Sequence, residues 1–259
     1  MKLCVSGKGG VGKTLTSAAL AKALAASGRV VYALDADPDA NLGLALGVDE
    51  TDLAPLAEMR DLIRERTEAG SGGWGVMFRM NPQVGDIPER YYREADGVRL
   101  MVLGAVRSGG GGCACPENVF LRTLLNHMVL SRKEALVLDL EAGVEPLGRA
   151  TVTGVDWLLV AAEPTPAAMA TVARIKRLAD DLKMKRTGCV ATKVRGPEQL
   201  DYVRSRLPSG VDLVGSVPYI PALEREYRVT EELSASAEEI LTRLGRTDRT
   251  RERPAGGNE

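Results

Sequence analysis

Short apolar runs recur along the chain with room for a helix between most of them. They are "KLCVS" (2–6), "RVVYALD" (29–35), "VRLMVLG" (98–104), "EALVLDL" (134–140), "WLLVAAE" (157–163), "RTGCVATK" (186–193) and "DLVGSV" (212–217). Each is Val/Leu-rich and continuous rather than alternating, the pattern of strands covered on both faces. Between them, 14–28, 119–133 and 166–183 carry helical spacing, and Gly28 supplies a C-terminal stop for the first. Strand–helix alternation predicts an α/β fold: a doubly wound, mainly parallel sheet with helices on both faces.

Two stretches depart from this rhythm. Residues 48–97 include the turn-rich "GSGGWG" (70–75) and "RMNPQVGDIPER" (79–90), and are expected to form a surface insertion. Residues 246–259, "RTDRTRERPAGGNE", are polar and charged, and are expected to be a disordered tail. Residues 1–245 then make one domain, and no internal repeat is evident.

Composition narrows the function classes. The net charge of −1 over 259 residues gives no field to draw the protein to nucleic acid or to an anionic membrane. Aromatic residues are 4% of the chain, too few for base-stacking platforms. No apolar run approaches a membrane span, and the start "MKLCVSGKGG" lacks the apolar core of an export signal. The expected location is the cytoplasm, where thiols stay reduced, so a disulfide framework is a poor reading of the four cysteines.

"GKGGVGKT", Gly7 to Thr14, fits G-x-x-x-x-G-K-[ST] between a predicted strand and a predicted helix, the context that gives the motif meaning. Gly7, Gly9, Gly10 and Gly12, with Val11, let backbone N–H groups wrap phosphates, and the helix N-terminus adds field for the anion. Lys13 is placed to reach the β- and γ-phosphates of ATP and Thr14 to ligate Mg²⁺. Asp139 ends a buried strand, where a carboxylate holds Mg²⁺ through water; the bland alternative is a strand-end cap.

Lys8 is not required by the basic motif. With it, the loop resembles that of the deviant Walker A ATPases of the MinD/ParA kind, K-G-G-x-G-K-[ST]. The resemblance implies an ATP-dependent homodimer in which Lys8 reaches the partner subunit's nucleotide. It also places Asp35 and Asp37 in a switch segment, with Asp37 orienting the attacking water.

Cys113 and Cys115, behind the glycines of "SGGGGCACPEN" (108–118), form a C-x-C pair. Thiolates select soft or borderline metals such as Zn²⁺, Ni²⁺ or Cu⁺, and a structural zinc site wants four ligands. Cys4 and Cys189 fall in predicted strands and read as small buried hydrophobes. His127, the single histidine, falls within a predicted helix. A two-fold axis completes the count: two C-x-C loops present four sulfurs. The bland alternative is a pair of thiols without a ligand.

"CACPEN" followed by "VLDLEAGVEPLGRAT" (137–151) is similar to the CooC family, whose members carry C-x-C-P-E and D-[ML]-E-A-G-[IV]-E-x-L-G-R at these places. The resemblance runs from Lys2 to about residue 240. It implies ATP-dependent delivery of nickel to carbon monoxide dehydrogenase or acetyl-CoA synthase, with Cys113 and Cys115 of both subunits binding one Ni²⁺, and Zn²⁺ as competitor. Many members have Asn before the Lys where this chain has Thr192-Lys193, which shifts adenine recognition towards the backbone around 217–223, including Pro218. Leu15 stands where a second Thr is common. The insertion at 70–97 has no clear counterpart in that family.

Two rivals belong to other classes. One is an iron–sulfur electron-transfer ATPase resembling the nitrogenase iron protein, whose cluster cysteines are far apart in sequence. The other is a positioning ATPase of the ParA or MinD kind, which leaves C-x-C unexplained. Storage or sensing of metal without delivery is a third use of the same residues.

Overall fold

The computed structural model describes residues 1–37, 39–48, 54–69, 77–104, 115–141 and 149–251, without the side chains of 149, 150 and 248–251. Strand β1 (Lys2–Gly7) runs through the P-loop into helix α1 (Lys13–Ala26), and β2 (Val31–Asp35) leads to α2 (Leu42–Leu46). A 3₁₀ turn, α3 (Arg60–Thr67), α4 (Ile87–Arg90), β3 (Arg93–Ala95) and β4 (Val98–Val102) follow. Next come α5 (Pro116–Asn126), β5 (Ala135–Asp139), α6 (Arg149–Val152), β6 (Trp157–Ala162) and α7 (Pro166–Asp181). The described chain closes with β7 (Thr187–Val194), α8 (Pro197–Arg206), β8 (Val211–Pro218), α9 (Leu223–Glu226) and α10 (Glu231–Arg251).

The sheet order is β3-β4-β2-β5-β1-β6-β7-β8. Every neighbouring pair is parallel except β3/β4. This is the expected doubly wound α/β sheet, and the predicted strands all appear within a residue or two of their expected limits. Successive side chains point to opposite faces. Cys4, Leu34, Leu138 and Val160 therefore pack with Phe120 of α5 and Val172 of α7, whereas Leu3, Val5, Ala33 and Val137 pack with Leu20 of α1 and Ile240 of α10. Cys4 and Cys189 are buried in this core, and burial raises both thiols, Cys189 to about 12.

Three features differ from the sequence expectation. The stretch expected as a surface insertion contributes Leu56, Leu62, Ile63, Val84 and Ile87 to the core, apolar residues set among charged and turn residues. Helix α10 continues past 246, the expected start of the tail, to Arg251, and 252–259 lie outside the described residues. The helix expected over 119–133 is regular only to Asn126 and then widens into a π-helical turn, His127–Ser131.

The sheet's margins are guarded. β3 is three residues long with Arg93 and Glu94 exposed. Beside β8, Arg243 of α10 donates from Nη1 to the carbonyl of Leu213 at 3.2 Å.

Candidate nucleotide site

Gly7 ends β1 so close to β6 that a Cβ there would lie 2.5 Å from the Ala161 carbonyl oxygen. Only glycine lets the two strands pair at this point. Gly10 and Gly12 take left-handed conformations (φ 80° and 88°), which turn the loop into α1 and free its N–H groups. A cleft of about 460 Å³ opens over this turn, a volume that suits a nucleotide. It is lined by 9–16, by Asp37, Asp39, Asn41 and Glu141, by Thr192 and Lys193, and by residues of 217–233.

Lys13 is buried and donates from Nζ to Asp37 Oδ2. Burial pulls its ammonium down, but Asp139, Asp37 and Asp35 together hold it above its ordinary value. Asp139 ends β5 with no exposed surface; its Oδ1 accepts from Ser17 Oγ at 3.0 Å, and its Oδ2 is a buried oxygen without a hydrogen-bond partner. Burial pushes Asp139 up to about 6, against Lys13, Thr14 and Ser17, which pull it down. Asp35, equally buried, accepts from the backbone N–H of Asp37 at 3.1 Å and of Leu42 at 2.8 Å. Burial, then Asp139, pushes Asp35 up to about 7. Asp37 Oδ1 accepts from the N–H of Asp39 at 3.1 Å.

Three carboxylates thus face one ammonium, with an orphan oxygen on the deepest of them. A divalent cation is the group that this donor set lacks, and Thr14 and Asp139 fit it. Bound there, Mg²⁺ would neutralise charge on the phosphates during transfer.

The other sequence-predicted residues divide. Gly9, Gly10, Val11, Gly12, Thr14, Leu15, Thr192, Lys193 and Pro218 line the cleft. Lys8 is exposed and does not line it. Thr192 is buried with an Oγ1 that lacks a partner, and Lys193 (φ 55°) pairs through Nζ with Glu163 Oε1 at 2.7 Å. Cys115 is half-buried at the N-cap of α5, before Pro116, where the helix field favours negative charge. Cys113 lies outside the described residues, as does most of the "EAGVEPLGR" stretch. Among the described residues no group of three or more His, Cys, Asp or Glu could hold a metal. Sequence reasoning missed Ser17, which steers Asp139, and Tyr227, which lines the cleft from beyond α9. Ser17 could have been found from its place one helical turn after Lys13; Tyr227 gives no such signal.

Residues 2–231 match the CobQ/CobB/MinD/ParA nucleotide binding domain, and the chain belongs to that family. It is an ATP-binding protein of the MinD/ParA ATPase class. Within the class, the resemblance read from C-x-C-P-E and E-A-G-V-E-P-L-G-R is borne out: the chain is 42% identical over 227 residues to the carbon monoxide dehydrogenase accessory protein CooC of Rhodospirillum rubrum, covering 86% of each. An uncharacterized ATP-binding protein of Methanocaldococcus jannaschii is 40% identical over 222 residues, 85% of each chain. Solved structures share the fold at lower identity. The septum site-determining protein MinD of Pyrococcus horikoshii, complexed with Mg-ADP, is 18% identical with a TM-score of 0.63, covering 97% of this chain and 98% of that one. Cobyrinic acid a,c-diamide synthase of Mycobacterium smegmatis, with bound ADP and magnesium, is also 18% identical, with a TM-score of 0.67, covering 100% and 99%.

Proposed function

We propose that this ATPase is a nickel-binding maturation factor, which hydrolyses ATP as a homodimer and delivers nickel to carbon monoxide dehydrogenase or acetyl-CoA synthase in the cytoplasm. The observation that carries this reading is the relation to CooC across 86% of both chains. In this reading the loop from Gly7 to Leu15 wraps the phosphates and Lys13 reaches the β- and γ-phosphates. Thr14 and Asp139 hold magnesium, and Asp37 orients the attacking water. Thr192, Lys193 and Pro218 frame the base. The exposure of Lys8 away from its own cleft supports a role on the partner subunit's nucleotide.

Nickel is cargo here. Cys113 and Cys115 of two subunits supply four thiolates, a set that takes Zn²⁺ as readily. With one pair from each subunit, subunit approach and metal capture become one event.

Metal content of anaerobically purified protein, with and without nucleotide and alongside its mass in solution, tests the reading. The expected result is one Ni²⁺ or Zn²⁺ per dimer, lost in Cys113→Ala and in Cys115→Ala. Iron with sulfide would replace this function by the iron–sulfur electron-transfer reading. Dimers without metal would leave a switch ATPase of the positioning kind.

A further inference from the structure

Strand β7 carries a bulge beside the nucleotide cleft. Ala191 pairs with Ser216 of β8 and Val194 with Pro218, so Thr192 and Lys193 together stand opposite Val217 alone. Lys193 absorbs the extra residue in a left-handed conformation (φ 55°), and a bulge of this kind re-aims the side chains around it. Thr192 lines the cleft, and the two chains meet again where the N–H of Tyr219 donates to the Val194 carbonyl at 2.9 Å. That bond sets Tyr219 half-buried in the cleft wall, directly after Pro218.

The Tyr219 ring is held in two ways. Its hydroxyl donates to Glu224 Oε1 of α9 at 2.7 Å, and the Arg195 guanidinium lies over one face, 3.5 Å from the ring centre. Arg195 is anchored in turn, its backbone N–H donating to Gln199 Oε1 of α8 at 2.7 Å. Tyr219 and Glu224 line the cleft and Arg195 does not, so the cation backs the ring from outside and leaves the opposite face for the cleft. Planar bases stack on such a face, and the gain depends on the ring far more than on the identity of the base. We propose that Tyr219 is the stacking platform for the nucleotide base, with Arg195 and Glu224 as positioning residues that hold its ring in place. The P-loop then grips the phosphates through backbone N–H groups, and the β7–β8 end grips the base through an aromatic face. A ring fixed at its hydroxyl and on one face loses little freedom when the base arrives.

The inference rests on the reading that the base lies beside Thr192 and Pro218. Calorimetric titration of the full chain in Mg²⁺ separates the two, with ADP and with ribose 5-diphosphate, which is ADP without its base. Wild type is expected to bind ADP more tightly. Tyr219→Leu is expected to lose ~5–100-fold in ADP affinity and nothing in ribose 5-diphosphate affinity, with thermal melting as the check on the fold. Tyr219→Phe keeps the ring and should stay within ~3-fold of wild type for ADP. Arg195→Ala, at an exposed position, spares the fold even if Tyr219→Leu does not, and should lose ~2–5-fold for ADP alone. Equal losses for both ligands would mean a purely structural role and would overturn the proposal. So would Tyr219→Phe binding ADP as weakly as Tyr219→Leu. If Tyr219→Leu binds ADP as wild type does while wild type still prefers ADP, the base reading stands and the platform falls. If wild type binds the two ligands alike, the base reading itself fails and the proposal falls with it.

Discussion

Strand β2 carries two polar clusters three residues apart, and they are built on opposite rules. At Tyr32 every charge is answered. The phenol donates to Glu89 Oε1 at 3.1 Å; Arg99 Nη1 donates to the phenol at 2.9 Å; Arg132 Nη2 donates to Glu89 at 2.6 Å and to Glu134 at 2.5 Å. The cluster ties α4, β4 and the lead into β5 together without a ligand. At Asp35, three carboxylates meet one ammonium, and the Asp139 Oδ2 is buried without a partner. Here the saturated cluster holds the fold, and the unsaturated one lies at the nucleotide cleft.

The two clusters should also respond oppositely to pH. Arg132 and other donors hold Glu89 below its ordinary value. That contribution to stability is present above the unfolded carboxylate range and is lost on acidification. Asp139 and Asp35 are raised to about 6 and about 7, so the folded chain binds more protons than the unfolded one between about pH 4 and pH 7. Their contribution is a loss of stability as pH rises through that window.

Replacing Lys13, the buried ammonium of the cleft, is the most severe way to break this contrast. Lys13→Ala is expected to lower steady-state ATP hydrolysis by ~10²–10³-fold, since the phosphate charge then has no buried cation from the protein. Asp139→Asn should abolish the Mg²⁺ dependence of ADP binding, yet raise ligand-free stability by ~1–3 kcal/mol at pH 7.5. Denaturant titrations from pH 4.5 to 7.5 should show its advantage over wild type growing with pH; a constant difference would reject the raised carboxylate. Tyr32→Phe works at the saturated end. It should cost about 1 kcal/mol in denaturant unfolding and leave ADP affinity unchanged. The mildest change is Thr192→Val, which removes a buried unpartnered hydroxyl. We expect ~0.5–1 kcal/mol of added stability in the same assay, and weaker ADP binding by calorimetry if Thr192 frames the base.

The central strands were legible because β1, β2, β5 and β6 are covered on both faces and so read as unbroken apolar runs. The P-loop was legible because phosphate binding fixes its glycines, Lys13 and Thr14 at set spacings. Residues 54–69 and 77–97 were not. Their core contacts come from single residues such as Leu56 and Ile87, set among arginines and turn residues, and β3 is only "REA". Helix α8 escaped for a similar reason, with Val203 its one buried residue. Thr14 and Tyr227 line one cleft from widely separated places in the chain, and only Thr14 sits in a local pattern. Packing of the α9–α10 junction against α1 and α2 brings in Tyr227, and no short-range signal encodes that.

The guarded margins of the sheet bear on the homodimer proposed above. A row of unpaired strand amides invites another molecule to add a strand, and open parallel sheets are exposed to that hazard. Here a short charged ribbon ends one side, and an arginine covers a strand carbonyl on the other. Side-by-side association is discouraged at both. The proposed homodimer would then meet through its loops, and could separate and re-form without drifting into irreversible stacking.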